Sequence, residues 1–361
     1  MTGEVFRLHV LPAGIGDALV LDYGTETDLH RVVIDGGVGQ TAQPLADFLG
    51  PTPQLELMMI SHIDNDHIAG LLKMLETGLT QATIGDFWFN GFRHLPESGL
   101  EQMGPVEGER LTTFILDHQI PWNANPPFGG KAVTRGADDE PLVATLPGGL
   151  ACRVLSPGRQ QLSKLRPKWL PVVQEADLDP AAPVAEEVLR PPGRLERMGA
   201  PNLPQLAAER TPEDNKEANG SSIAILATWA GRTALLTGDA HSDVLLETLD
   251  RWLGPDGSLE VDLFKLPHHG SKANVTDALL KRVQAKCYVF SSSGQGRSQH
   301  PNDPAVARVI VNSTGNRLLA FNYLSKRTEL WQDPALQAQW GYRTLYPPAG
   351  GEGIVIDLLD L

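Results

Sequence analysis

The sequence predicts an α/β protein, two β-sheets packed face to face with helices outside them. Three observations predict it. The 361-residue chain has a β-rich stretch at each end. Between them, residues 156–215 are rich in Pro, Arg and Glu and carry little strand signal. The strand-like runs on either side end in Gly, Asp or His, where tight turns bring backbone and polar groups close together. A chain this long buries a sizeable core. We therefore expect one domain over residues 1–361, with 156–215 as an insertion, a cap or a mobile loop, because its apolar content is too thin for a core of its own.

Taken in order, residues 5–11 and 18–23 read as strands around a Gly14-Ile15-Gly16-Asp17 turn, and 30–34 as a third running into Asp35-Gly36-Gly37. A short helix is expected at 44–49. The apolar run 55–60 is a buried strand ending at His62, and 68–75 has helical spacing. Residues 84–89 read as one strand. Residues 108–118 read as a helix that stops before Pro121, since proline disfavours helix at the residue ahead of it. Residues 143–146 and 151–155 form a hairpin across Pro147-Gly148-Gly149. The insertion holds helix-like fragments at 186–189 and 203–209. A second hairpin, 223–229 with 233–237, follows. Then come a helix (244–253), a buried strand (261–266), a helix (277–283), a strand (287–290) and a helix (303–311) capped at Asn302 or Asp303. Strands at 318–323 and 353–358 close the chain.

Lys and Arg number 30 against 44 Asp and Glu, a net charge of −14. That balance argues against a broadly basic nucleic-acid surface, although bound divalent cations would reverse the charge locally. The 2 cysteines sit in apolar strand-like runs, which excludes a disulfide framework and fits a reducing interior. The N-terminal residues lack a basic stretch followed by an apolar one, and no run approaches the roughly 18 apolar residues of a membrane helix. The expectation is a soluble, cytoplasmic protein with no membrane partner.

The chemistry concentrates in Ser61-His62-Ile63-Asp64-Asn65-Asp66-His67. In an extended segment His62 and Asp64 point the same way, while Asp66 and His67 fall at the start of the following helix. Imidazoles and carboxylates together suit zinc, manganese or iron. The plain alternative, a polar loop whose aspartates cap the helix, uses one Asp and leaves two histidines without a role. Three further groups lie just past strand ends: Asp239, the His268-His269 pair between Pro267 and Gly270, and His300. Taken singly, an Asp after Gly is an ordinary turn residue and a His before Pro an ordinary surface one. Together with residues 61–67 they describe a metal site.

These residues also carry a resemblance. Asp35-Gly36-Gly37, the run from His62 to His67, Asn219-Gly220-Ser221-Ser222, Leu235-Leu236-Thr237-Gly238-Asp239-Ala240, Pro267-His268-His269-Gly270-Ser271 and Gly14-Ile15-Gly16-Asp17-Ala18 resemble the motifs of the metallo-β-lactamase superfamily, ComEC-like branch. The resemblance implies an αββα sandwich with metal at one edge of its sheets. It implies a first ion on His62 and Asp64, a second on Asp66 and His67, Asp239 bridging both, and His269 completing the second. His268 would lie close by, touching substrate or donating a proton. His300 would reach in from the loop after the strand at 287–290. Asp35 would support a ligand imidazole, with Asn219 and Ser221 as further supporting groups. Two departures stand out: Asp64 replaces the motif's second histidine, and the third motif's histidine is absent, with Asn219-Gly220-Ser221 near its place. A carboxylate for an imidazole hardens the first site, toward manganese or magnesium rather than zinc, or leaves it weakly filled.

The function these readings imply is a metallo-hydrolase acting on ester bonds, a phosphodiesterase with one or two divalent ions (zinc or manganese, with magnesium a third choice). Metal-bound hydroxide would attack, Asp239 and Asp66 would position it, and His268 or His300 would bind a phosphate oxygen or protonate the leaving group. The substrate would be a small phosphodiester, a nucleotide or nucleic acid. Binding of nucleic acid needs clustered cations, and the candidates are Arg159, Lys164, Arg166, Lys168, Lys265, Lys272 and Arg297. A different reading makes the chain a metal-binding interaction module or pseudo-enzyme, with the insertion docking a protein partner.

Overall fold

The computed structural model describes residues 3–96, 110–175, 201–296 and 299–361. The helix-like fragment expected at 186–189 and Arg297 lie outside them. Strands β1 (Glu4–Val10), β2 (Leu19–Thr25) and β3 (Asp28–Ile34) lead to helix α1 (Ala42–Leu49). After them come β4 (Gln54–Leu55), β5 (Leu57–Met59), α2 (Asn65–Glu76), β6 (Thr83–Ile84), β7 (Phe87–Trp88), α3 (Arg110–Asp117), β8 (Val143–Thr145) and β9 (Ala151–Ser156). Helices α4 (Arg159–Leu165), α5 (Trp169–Glu175), α6 (Leu203–Ala207) and α7 (Glu217–Gly220) belong to the insertion or its exit. The second half supplies β10 (Ala224–Trp229), β11 (Arg232–Leu236), α8 (Ser242–Leu253), β12 (Leu259–Lys265), α9 (Asp277–Arg282), β13 (Val283–Phe290), α10 (Asp303–Asn312), β14 (Arg317–Phe321), α11 (Pro334–Trp340), β15 (Tyr342–Leu345) and β16 (Ile354–Asp357).

Two sheets carry the fold, one of six strands in the order β16-β1-β2-β3-β5-β7 and one of eight, β15-β14-β13-β12-β11-β10-β9-β8. Alternation along the strands sorts their apolar side chains into three cores. Leu19, Leu21 and Tyr23 of β2 face Val154, Ile225, Leu236, Leu263 and Val289 of the other sheet. Val20 and Val33 face away, packing with Leu45 of α1, Leu71 of α2 and Leu111 of α3. On the far side Leu235, Phe264 and Tyr288 pack with Leu245 of α8, Leu279 of α9 and Val306 of α10. The layers are therefore helix, sheet, sheet, helix: the αββα sandwich. The described ends of the insertion join opposite outer layers. Leu162, Leu165 and Trp169 enter the core outside the first sheet, and Leu203 and Ala207 enter the one outside the second. Among the described residues no helix is long and apolar enough to cross a membrane.

Three sequence expectations need correction. Residues 84–89 are two strands in different sheets, β6 beside β4 and β7 beside β5. Asp86 breaks the run: its buried carboxylate accepts hydrogen bonds from the amides of Phe87 (3.0 Å), Ala124 (2.9 Å) and Asn125 (2.9 Å) and from Trp88 Nε1 (2.9 Å). Asn302 stands at the N-cap of α10, but its Oδ1 accepts from the Lys272 amide at 3.0 Å and not from the helix. Helix α11 and strand β15 were not expected. The helix starts at Pro334, with the Asp333 carboxylate accepting from Ala335 N at 2.7 Å and Leu336 N at 3.2 Å.

Candidate metal centre

The site forms where β3, β5, β11, β12 and β13 end, and in each sheet these are mutually parallel strands whose C-terminal ends share one edge. The turn after β3 sets the first half. A methyl on Gly36 would lie 2.2 Å from the Leu71 amide nitrogen, and one on Gly70 2.0 Å from the Gly36 carbonyl oxygen. Only glycines let α2 come this close, and that approach carries Asp66 and His67 back toward His62. Asp35, at φ 59°, accepts from the Ser61 amide and hydroxyl, both at 2.7 Å, and from His67 Nδ1 at 2.8 Å.

Asp239, just past β11, is the centre. Its Oδ1 faces His67 Nε2 at 3.3 Å and His269 Nε2 at 3.6 Å. Its Oδ2 faces His268 Nε2 at 3.5 Å and His62 Nε2 at 3.8 Å. Asp66 Oδ2 joins the first group, 3.4 Å from His269 Nε2, and Asp64 Oδ2 joins the second, 3.7 Å from His62 Nε2. So the structure brings together all six expected ligands and adds His268.

Two of these atoms lack a hydrogen-bond partner, and two more meet each other. Buried His62 Nε2 and Asp239 Oδ1 have no hydrogen-bond partner, and the Nε2 atoms of His67 and His269 face each other at 3.2 Å. Leaving a buried polar atom unpaired costs about 1–3 kcal/mol, and two facing imidazole nitrogens are satisfied by a shared cation. Nitrogen and carboxylate donors converging on common points suit a divalent metal. The residues fit the group.

Behind the ligands lie carboxylates that fix their tautomers. Asp17 Oδ1 accepts from His269 Nδ1 at 3.1 Å, and Asp17 also pairs with Lys265, whose side chain is completely buried. Asp17, His67, Asp239 and His269 place ligand-type atoms within 4.8 Å of one another. Asp17, however, holds the ring nitrogen opposite the one that faces Asp239, so it supports His269 as Asp35 supports His67. Asp214, from the end of the insertion, accepts from His268 Nδ1 at 3.2 Å, Asn219 Nδ2 at 2.6 Å and Asn274 Nδ2 at 3.0 Å. The Ser221 hydroxyl instead donates to the Ala218 carbonyl at 2.6 Å. His300 is buried with its ring centroid 5.0 Å from that of His268 and 6.2 Å from that of His269, and neither ring nitrogen has a hydrogen-bond partner.

Electrostatics follow the packing. Burial alone would lower the pKa of His67, but Asp239 and Asp35 override it and hold it well above the usual histidine value. Burial opposed by Asp239 and Asp17 leaves His269 at about 9. Burial would raise Asp239, yet the imidazoles of His268, His67 and His269 keep it well below the carboxylate range. His300 shows the reverse: burial, together with His268 and His269, pushes it well below a normal histidine.

The cations weighed for a phosphate backbone fare differently. Lys265 is sealed against Asp17. Arg166 is buried, its Nη1 donating to the Leu95 carbonyl at 2.8 Å. Lys272 pairs with Glu209 at 2.7 Å. Arg159, Lys164 and Lys168 are exposed on α4 and the turn after it.

No family model matches the chain. Over 119 residues it is 21% identical to ComE operon protein 3 of Bacillus subtilis, a match covering 31% of this chain and 15% of that protein, so the chain corresponds to a small part of the curated relative. The layers and motif positions are those the sequence resemblance implies. The chain resembles the metallo-β-lactamase superfamily. A solved subclass B3 metallo-beta-lactamase from a soil metagenome library aligns over 85% of this chain and 90% of its own, at 16% identity and a TM-score of 0.30. The buried Asp/His cluster is a set of side chains able to hold a divalent cation.

Sequence reasoning gave no role to Asp17, Asp214 or Asn274, and weighed Lys265 only as a phosphate-binding cation, not as the partner of Asp17. Asp17 had a signal in its Gly-x-Gly-Asp turn, where a methyl on Gly16 would lie 1.6 Å from the Asp66 carbonyl oxygen. Lys265 had one too, a lysine inside an apolar strand. Asp214 had none.

Proposed function

We propose that the chain is a metal-dependent phosphodiesterase. The observation that carries this reading is Asp239, whose two carboxylate oxygens each face a separate set of ligand atoms. A shared carboxylate between two ligand sets is the frame of two-ion phosphoester cleavage. Bound divalent ions would make water nucleophilic near neutral pH and neutralise charge building on the phosphate. His67, His269, Asp66 and Asp239 would hold one, and His62, Asp64 and Asp239 the other. Three carboxylates in the set favour manganese or magnesium alongside zinc.

The remaining residues position and bind. With an ion bound, Asp35 and Asp17 would keep protons on the Nδ1 atoms of His67 and His269 and leave the Nε2 lone pairs facing inward. His300, held neutral, would donate its ring N–H to a phosphate oxygen, a binding role and not that of a charged acid. Lys216 stands at the rim, its Nζ 3.7 Å from Asp64 Oδ2 and its side chain 56% exposed. With Lys265, Arg166 and Lys272 committed elsewhere, a small phosphodiester or a nucleotide end suits the site better than a long nucleic-acid track. Free, buried Cys152 and Cys287 support a reducing, cytoplasmic setting. The packing of the insertion's described ends against both outer layers supports one domain over residues 1–361, with 156–215 inserted in it.

The test is hydrolysis of bis-(p-nitrophenyl) phosphate and single-stranded DNA by protein loaded with manganese or zinc. Turnover should appear with the dye ester and vanish in His67→Ala and Asp239→Ala. Turnover unchanged in either variant overturns the reading, and metal binding without turnover on any phosphoester would favour the interaction module.

A further inference from the structure

We infer that His268 is a metal ligand of the half of the site faced by Asp239 Oδ2, completing it with His62 and Asp64, and that Asp214 is the residue that aims it. The inference rests on the metal-dependent reading above and assigns His268 a role other than proton donor.

The first support is position. His268 Nε2 lies 3.5 Å from Asp239 Oδ2, and its neighbour's Nε2 lies 3.6 Å from Oδ1. Adjacent residues in extended backbone would point to opposite sides. Here both His268 (φ 49°, ψ 51°) and His269 (φ 55°, ψ 20°) are left-handed, a conformation that costs a non-glycine residue of order 1–3 kcal/mol. The turn is held by the His268 amide donating to the Gly238 carbonyl at 3.0 Å, one residue before Asp239. Two strained residues in succession put two imidazoles on one carboxylate. A single ligand at His269 would not need both.

The second support is the tautomer. Asn274 Nδ2 donates to Asp214 Oδ2 at 3.0 Å and to the Asp239 carbonyl at 3.3 Å. Those bonds fix the amide with Oδ1 toward His268 Nδ1, 3.0 Å away. Asp214 Oδ2 is a second acceptor at 3.2 Å. Asn219 Nδ2, 3.4 Å from the same nitrogen, has a closer acceptor in Asp214 at 2.6 Å. Two acceptors therefore hold a proton on Nδ1. In the neutral ring that leaves the Nε2 lone pair facing Asp239 Oδ2, where a cation between the two satisfies both. A carboxylate behind a ligand histidine is the arrangement already seen at Asp35–His67 and Asp17–His269.

The experiment counts ions. Wild-type protein loaded with manganese and passed over a chelating resin should carry two per chain by plasma mass spectrometry, with the spectrum of a coupled pair in electron paramagnetic resonance. His268→Ala and the bulkier His268→Gln should each carry one, with the spectrum of an isolated ion. Asp214→Asn should keep both at saturating metal but bind the weaker one about 10–100-fold less tightly. Two ions and the coupled spectrum in both His268 variants overturn the inference. So does a wild type with one ion that neither variant loses, a result that leaves the metal-dependent reading standing. A wild type that binds no ion removes that reading, and the inference with it.

Discussion

The two halves of the site are built alike and supported differently. Around Asp239 Oδ1, the histidines His67 and His269 are buried, and only Asp66, at 25% side-chain exposure, meets solvent. Their supporting carboxylates, Asp35 and Asp17, are fully buried in turns of the first sheet. Around Asp239 Oδ2, both Asp64 and His268 are partly open, at 20% and 22%, and the supporting carboxylate, Asp214, comes from the exit of the insertion. Rigid strand ends hold one half, and a segment leading out of a 60-residue-scale excursion helps hold the other. On the proposed two-ion reading, this difference would divide ion retention and ion exchange between two faces of one carboxylate, with the Oδ1 half holding its ion more tightly.

The largest expected effect removes the shared element. Asp239→Ala should abolish both binding events in a calorimetric titration and cost activity well beyond the roughly 100-fold typical of supporting residues. Next, Lys265→Met strips the buried Asp17 of its lysine partner and leaves it the His269 Nδ1 bond, which should cost up to about 3–5 kcal/mol in denaturant unfolding of the metal-free protein. If stability is unchanged, the buried pair is not what braces the Oδ1 half. Smaller again, Asp35→Asn should weaken the tighter ion about 10–100-fold while leaving the weaker one alone. Loss from the weaker class instead would reverse the assignment of the two halves.

The smallest effect is on pH. His269 is held near 9 in the metal-free fold against an ordinary 6.5, so its contribution to stability is complete below 6.5 and lost as pH rises through 9. A metal needs the neutral ring and displaces that proton, as it would from His67, so affinity should climb with pH through about 9. Calorimetry in buffers of different ionisation enthalpy would show proton release. Affinity independent of pH between 6 and 9 would mean that His269 takes no part.

How much of this could be read beforehand depends on how local each feature is. His62, Asp64, Asp66 and His67 fall within one strand-to-helix turn, so their convergence follows from local geometry alone. Asp239 and His269 were legible because each follows an apolar strand and falls in a motif of the resembled superfamily. The partners behind the ligands were not. Asp17 meets His269 across 252 positions of sequence and Asp214 meets His268 across 54, and no periodicity encodes such pairings. The two-sheet layering was legible from two β-rich halves flanking an insertion, and its αββα form from the motif resemblance. The division of 84–89 was not, because it depends on a buried Asp86 collecting amides from residues 124 and 125. His268 was legible as a neighbour of the site, but its direction depends on two left-handed residues that a sequence does not display.

The most direct measurement is anomalous diffraction at the manganese edge from crystals of the manganese-loaded protein. Two peaks should flank the Asp239 carboxylate, one among His67, His269 and Asp66 and the other among His62, Asp64 and His268. A map with no peak at Asp239, or with peaks whose neighbours exclude it, would contradict the account.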